Sequence, residues 1–492
     1  MPPDQAETVA FLARQAGAPP IETHISYVFP GVDTVWKLKK SVRLPFLNFT
    51  RIEDRHHFCE RELALNAPAA PGMYRDVVPV VRRQDGSLGL GGDGEVVDWV
   101  LRMARVPTGD FLDVRAADSG LSPSLLDEIA DAVAAWHMSL PPVPGVRPDM
   151  EKIAEGNVRS ALAAGLPEHE INAWRDAMLA GLRARADWRD ARADAGLVRR
   201  CHGDLHLGNL CLWNGRPVLF DALEFDEALA TIDVAYDLAF LLMDLEHRLD
   251  RSAANRVLNR YVVRTGDADL VRGLPVFLSM RAMVRAHVEA SSGHDRNVAA
   301  YLTAAMRYLK PPSPIVIAVG GLPGTGKSTL ARALAPLLGA AGALIARSDE
   351  IRKRRYGAAP EQRLPETAYT AQESDAVFSE LGIMVETAAA GGHAVVADAT
   401  FLDLAHRSMI ETAAARARVP FLGIWLSAPR AVLEQRVAAR SGDASDATVQ
   451  VLRAATDPGA VGWHAVDASD ATAALHAAMA LVKALGPSHI VL

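Results

Sequence analysis

Between Cys201 and Asp226 the sequence reads CHGDLHLGNLCLWNGRPVLFDALEFD. Asp204 follows His202-Gly203, and Asn209 stands five positions beyond it. A short apolar stretch, Pro217 to Phe220, then delivers a second aspartate, Asp221. A carboxylate beside an acceptor hydroxyl, with an amide and a second carboxylate to hold metal ions on nucleotide phosphates, is a constellation for phosphoryl transfer. Asp204 is the candidate catalytic base, and Asn209 and Asp221 are the candidate metal ligands. A second constellation lies further along, where Gly321 to Ser328 matches GxxxxGK[ST] between an apolar strand and a helix that runs to Leu338. In such a loop Gly321, Gly324, Thr325 and Gly326 turn backbone N–H groups onto phosphates, and the helix N-terminus through Thr329 adds its dipole. Lys327 would reach the β- and γ-phosphates, and Ser328 would bind magnesium.

The aspartate-to-asparagine spacing equals that of the protein-kinase HRDxxxxN loop, but Gly203 replaces the arginine. Asp221 is followed by Ala222-Leu223, so there is no DFG, and no APE comes later. The segment resembles the catalytic loops of aminoglycoside phosphotransferases and choline-kinase-like enzymes, HGDxxxxN followed by a strand and a metal-binding aspartate. The stretch from Thr23 to Val106 looks like the N-lobe of a recurrent bacterial family in which a phosphotransferase-like kinase is fused to a P-loop ATPase. The resemblance implies ATP and Mg²⁺ as cofactors, transfer of the γ-phosphate to hydroxyl acceptors, and a bilobal kinase-like fold over residues 1–310, with its N-lobe at about 20–105.

The elements around Asp204 must bring a nucleotide to it. Ile25, Tyr27 and Phe29 alternate as in a strand, Pro30-Gly31 reads as a turn, and Val35 to Lys39 makes a second strand. Lys37 is the candidate for the α/β-phosphates, with Lys39 the alternative on the same strand face. The helical stretch from Thr50 to Leu65 offers Glu62, with Glu60 the alternative, to hold that lysine by an ion pair. Leu101 to Ala104 runs into the expected hinge, which puts Met103 against the nucleotide base. His137 reads as a packed core histidine, and Asp233 and Asp237 as acceptors bracing the catalytic loop.

Lys310-Pro311-Pro312-Ser313-Pro314 reads as a stiff linker, with 311–314 dividing the first domain from a P-loop domain at 315–492. Beyond it strands and helices alternate, which predicts a mainly parallel α/β sheet. The second strand, Leu344 to Arg347, ends at Ser348-Asp349-Glu350-Ile351-Arg352. Ligands sit at the carboxyl ends of such strands. This places Asp349 to accept a hydroxyl proton and Arg352 to hold an anionic part of the acceptor, as in polynucleotide-kinase-like and gluconate-kinase-like P-loop kinases. Asp398 ends the Walker-B-like strand Ala394 to Ala397, near magnesium. Arg436 and Arg440, four apart on one helix face, resemble the lid arginines of nucleoside-monophosphate-kinase-like folds.

The 492 residues carry a formal net charge of −7, which argues against a general nucleic-acid or anionic-membrane binder. Three cysteines without CxxC spacing, no signal-like N-terminus and no membrane-length apolar run predict a cytoplasmic protein. Two other readings share the motifs: the P-loop domain as an ATPase that regulates the first domain, or as a nucleic-acid 5′-hydroxyl kinase gripping phosphates with Arg352-Lys353-Arg354-Arg355.

Overall fold

The computed structural model describes residues 5–44, 47–293, 297–339, 341–439, 444–459 and 461–489. Compactness divides the chain into two units, residues 1–149 with 187–244 and residues 150–186 with 245–492. The 311–314 linker falls within the second unit.

In the first unit, Ser26–Pro30 and Thr34–Lys39 pair antiparallel, with Ser26 opposite Lys39 and Val28 opposite Lys37. Their turn requires Gly31: a Cβ there would stand 2.6 Å from the Trp36 ring and 2.8 Å from the Thr34 carbonyl oxygen. The hairpin belongs to a six-stranded sheet in the order 21–22, 26–30, 34–39, 95–104, 74–82, 88–90. Tyr27, Phe29, Leu38, Val80 and Val100 pack on one face with Val9, Phe11 and Leu12 of the helix Ala6–Ala16. Strand alternation therefore sends Lys37 and Lys39 to the other face, toward the helix Ile52–Asn66.

That helix buries Arg55, Cys59, Glu62 and Asn66, a stripe with helical spacing but almost no hydrocarbon. Arg55 is a bidentate donor to Asp98 at 2.8 and 3.1 Å. Downstream, Leu210–Trp213 and Arg216–Leu219 form a hairpin whose two turn residues, Asn214 and Gly215, have φ of 52° and 76°. Positive φ at both positions is the primed turn that Asn-Gly favours, and it aims Asp221 back toward the lysine strand.

In the second unit five parallel strands follow the order Leu344–Arg347, Val395–Asp398, Val316–Gly321, Phe421–Ser427, His464–Asp467. Their core is aliphatic, with Ile315, Ile317, Val319, Val396, Ile424 and Leu426 packed against Leu330, Leu334 and Leu338. The edge strand Leu344–Arg347 is finished by a helix, Arg251–Thr265. Asn259 accepts from Ile345 N (2.6 Å) and donates to Ala343 O (3.2 Å), in the manner of a neighbouring strand. Asn255, one turn earlier, donates to Ala341 O and Ala343 O at 3.2 and 2.9 Å, and Arg251 donates to Pro336 O at 2.5 Å. Gly342, at φ 82°, is needed because a Cβ would sit 2.3 Å from the Asn255 side chain.

Asn259→Ala leaves the Ile345 N–H unpaired at a cost of about 1–3 kcal/mol. Amide exchange at Ile345 in the full chain is then expected to quicken roughly tenfold or more. Unchanged exchange would show that the helix lies beside the strand without securing it.

Candidate active sites

The catalytic-loop candidate rests on a buried carboxylate. Asp237, in the first turn of the helix Val234–Arg248, accepts from His202 N at 3.0 Å and Gly203 N at 2.9 Å, and meets His137 Nε2 at 3.2 Å. His137 is thus buried, but as a partner of the brace rather than as packing alone. Asp233 does something else. It holds Arg192 at 2.6 and 2.8 Å and accepts from Ala235 N at 2.8 Å, capping its own helix instead of bracing the loop as expected. The second brace is Asp244, which accepts from Leu207 N at 3.0 Å.

Gly203 lies at φ 84°, and a Cβ would stand 3.1 Å from the Leu223 side chain and 3.3 Å from that of Ala230. An arginine there would be strained in its backbone and crowded against both side chains. His202 Nε2 is 2.8 Å from Phe220 O, and its Nδ1 accepts from Asp204 N at 3.3 Å. A carbonyl can only accept, so Nε2 carries the proton. Burial pushes the ring's pKa below its ordinary value, which agrees with a neutral imidazole.

Asp204 is partly exposed, with Asn209 Nδ2 donating to its Oδ2 at 3.1 Å and to its carbonyl at 2.8 Å. Asp221 sits at φ 60°, a left-handed conformation uncommon outside glycine. Two side chains fix it there: the Tyr74 hydroxyl accepts from Asp221 N at 2.9 Å, and Asn66 Oδ1 accepts from Ala222 N at 2.8 Å. Lys37 Nζ donates to Asp221 Oδ1 at 2.5 Å and to Glu62 Oε1 at 2.7 Å. Residues 37, 62 and 221 thereby meet at one ammonium.

Lys39 is more deeply buried, and its Nζ lies between Glu62 Oε2 at 2.5 Å and Glu224. Glu62 would be raised by burial, but its two lysines outweigh that and hold it down at about 2. Glu60 is exposed. Met103 lies inside the strand Glu95–Ala104, opposite Val35 and Tyr74, and packs against the cluster of Met73 and Tyr74.

The second site forms at the carboxyl ends of the parallel strands, around a cavity of about 1020 Å³. Gly326, at φ 90°, opens the helix Lys327–Leu334, which carries Ser328 and Thr329 in its first turn. Lys327 Nζ donates to Gly321 O and Leu322 O at 3.0 Å each, curled onto the loop that phosphates would fill. Thr325 is buried and donates to Leu322 O at 2.8 Å, so its side chain shapes the loop. Gly324 is required by packing, since a Cβ would come 2.8 Å from Leu433 O.

Asp398 Oδ2 is buried, lies 3.3 Å from Arg347 Nε and makes no hydrogen bond, an arrangement that a metal-bound water would satisfy. At the first site Asn209 and Asp221 likewise offer the oxygen donors that magnesium prefers. Arg347 also lies 3.6 Å from Glu350 and 4.0 Å from Asp349. Asp349 lines the cavity and is hydrogen-bonded by Ser445. Burial raises its carboxyl above the ordinary value, with neighbouring Arg347 opposing only in part.

Two further expected residues, Arg352 and Arg436, line the same cavity, with their guanidinium groups bonded to backbone carbonyls. Arg352 donates to Ala368 O at 2.5 Å and stacks over Tyr369, while Arg436 donates to Ala468 O and Ser469 O at 2.8 Å each. Arg440 lies outside the described residues. Of the basic run, Lys353 pairs with Asp446, Arg354 with Glu380, and Arg355 with Glu373 and Glu380.

The model of the phosphotransferase enzyme family matches residues 52–274, and that of the AAA domain matches residues 316–458. The first match holds Glu62, Asp204, Asn209 and Asp221; the second holds Lys327, Asp349 and Asp398. The protein is a phosphotransferase with a P-loop domain. An uncharacterised protein of Mycobacterium tuberculosis and one of Mycobacterium bovis are each 29% identical to it over 466 residues, covering 88% of either chain. Among solved structures, a choline/ethanolamine kinase family protein from Mesorhizobium loti is 15% identical, covering 62% of this chain and 98% of that one, at a TM-score of 0.38. A gluconokinase from Sinorhizobium meliloti is 23% identical, covering 36% of this chain and 94% of that one, at a TM-score of 0.26.

Sequence reasoning passes over Tyr74, Asn66, Glu224, Arg347 and Asp446. None stands in a motif, and each acts on a partner distant in sequence. In the phosphotransferase domain, His202 is expected to stay neutral, with the proton on Nε2, at pH values where an ordinary histidine (pKa about 6.5) is half charged. Long-range ¹H–¹⁵N spectra read this directly. An imidazolium at pH 6.5, or a proton on Nδ1, would contradict the geometry.

Proposed function

We propose that the protein is a bifunctional ATP-dependent small-molecule kinase, with one Mg·ATP site in residues 1–310 and another in 315–492. The supporting observation is the meeting of Lys37, Glu62 and Asp221 at distances of 2.7 and 2.5 Å. A lysine held between a helix glutamate and the aspartate that follows the catalytic-loop hairpin is the arrangement a kinase uses to position nucleotide phosphates and metal, and it supports phosphoryl transfer. Bound magnesium would screen phosphate charge at Asn209 and Asp221 in the first site and near Ser328 and Asp398 in the second.

In the first site Asp204 accepts the proton of an acceptor hydroxyl, and Asn209 keeps its carboxylate turned inward. Lys37 leaves Asp221 for the α/β-phosphates while Glu62 retains it. In the second, Asp349 takes the hydroxyl proton, and Lys327 exchanges two loop carbonyls for phosphate oxygens. Arg352 and Arg436 would likewise exchange carbonyl partners for acceptor or phosphate oxygens. Pairing of Lys353, Arg354 and Arg355 with carboxylates leaves little charge to grip a nucleic-acid backbone and favours small hydroxyl acceptors. We place the protein in the cytoplasm: all three cysteines are buried free thiols, and among the described residues no helix is long and apolar enough to cross a membrane.

Titration calorimetry of the full chain with a non-hydrolysable ATP analogue and Mg²⁺ should find two sites, and one after Lys327→Ala. Acceptors come from a metabolite screen for ATP-dependent phosphorylation. Asp204→Asn should then lower first-site transfer by about 10²–10⁴-fold with ATP affinity kept. Undiminished transfer would remove Asp204 as base.

For the second site, the acid limb of the rate profile should lie above about 4, the ordinary aspartate value, because activity needs the carboxylate and burial has raised its pKa. Asp349→Asn should abolish that limb together with transfer. Undiminished transfer with the limb intact in Asp349→Asn would remove Asp349 as base.

A further inference from the structure

Lys39 and Glu224 have no assigned task, yet both are buried at the heart of the first site, 1% and 4% exposed. They close a chain of charges: Asp221 to Lys37, Lys37 to Glu62, Glu62 to Lys39, and Lys39 to Glu224. Its two ends lie three residues apart on one segment, and its two lysines lie on one strand face. Glu62 gives one oxygen to each lysine.

The use of such a chain follows from what Lys37 must do. On the reading proposed above, Lys37 gives up Asp221 when a nucleotide arrives, and Asp221 turns to the metal. The direct ionic tie between the strand Thr34–Lys39 and residue 221 is then lost. Lys39–Glu224 is the ionic tie that remains, since neither group is exposed enough to meet phosphate. It also keeps a cation on Glu62 Oε2, which fixes the rotation of the carboxylate that faces Lys37. Tyr74 and Asn66 hold the backbone at 221 and 222, and Glu224 adds the side-chain hold beyond them.

Stability alone is a poor reason for this pair. Apolar replacement of a buried ion pair is often neutral or stabilising, whereas removal of one partner is costly. We propose that Lys39 and Glu224 are positioning residues for the first site, holding the metal-binding segment 221–224 against the lysine strand while Lys37 and Asp221 change partners.

The difference between stability and positioning gives the test. In full-length protein carrying Lys327→Ala, so that only the first site loads, Mn²⁺ binding with a non-hydrolysable ATP analogue is measured by electron paramagnetic resonance. Lys39→Met/Glu224→Met also takes the cation from Glu62 Oε2 and should lower the thermal midpoint, and in protein that stays folded it should weaken Mn²⁺ by about tenfold or more, as losses of outer-shell partners of metal ligands do. Glu224→Gln keeps the shape of the side chain and should weaken Mn²⁺ in the same direction, which covers a double variant that fails to fold. Background-like Mn²⁺ affinity in Glu224→Gln or in a folded double variant would reduce the pair to packing and overturn this inference alone. No Mn²⁺·nucleotide binding in the folded Lys327→Ala background would overturn the first-site reading and this inference with it.

Discussion

Glu62 has no access to solvent, and a carboxylate in that position is tolerable only with cations on its oxygens. Lys37 and Lys39 supply one each, and the rest of the first unit is arranged so that they can. The hairpin turn at Pro30-Gly31 sets the register of the lysine strand, and strand alternation puts both ammonium groups on the face of the helix Ile52–Asn66. That helix is held by Arg55–Asp98 at one turn and by Asn66 at another, so Glu62 arrives at a fixed depth. The polar stripe has a cost in desolvation, and the return is geometric: a strand, a helix and the segment after Leu219 are located relative to one another by directional bonds. Apolar packing alone would fix their spacing less sharply.

The same logic appears in the second unit in a different material. One face of its sheet packs an aliphatic core, and the polar work is moved to the strand ends. There Arg347 stands among Asp349, Glu350 and Asp398, a buried cation shared by three carboxylates. Asp398 Oδ2 makes no hydrogen bond there and keeps only its ion pair with Arg347. Asp446 does comparable work at the cavity wall, accepting from Lys353, Leu364 N and the Tyr369 hydroxyl at 2.7, 3.0 and 2.5 Å. One carboxylate thus ties the segment at 446 to the loop and helix that carry Arg352 and Tyr369.

How much of this was legible in the sequence depends on how local each signal is. The P-loop and the HGD loop are contiguous, and their spacing is set by bonds within a few residues, so both could be read directly. The parallel sheet followed from alternating apolar runs. Glu62 was reachable because a lysine on a nearby strand demands a partner and Phe58 and Leu65 suggest an apolar side around it, although the face that the helix buries proves to be polar. Asp221 in a left-handed conformation, the Asn-Gly turn that aims it, and Tyr74 beneath it are joined only in three dimensions. Arg436 shows a mixed case: spacing places it on a helix face, but only coordinates show that it lines the cavity with its guanidinium bonded to Ala468 O and Ser469 O.

Asn259 marks the furthest reach of this limit. Asparagine in a helix interior has a weak preference at best, since its amide competes with the backbone. In sequence, Arg251, Asn255 and Asn259 therefore read as an ordinary polar stripe on a solvated helix. Their spacing of four places them on one face, and that face meets the strand Leu344–Arg347, whose outer N–H and C=O groups have no partner strand among the described residues. An exposed edge would invite pairing with another chain, and the helix removes that hazard with side-chain amides that imitate a strand. The strand so secured runs straight into Ser348 and Asp349. The position of the candidate base in the second site is therefore set partly by a helix more than eighty residues earlier in the chain.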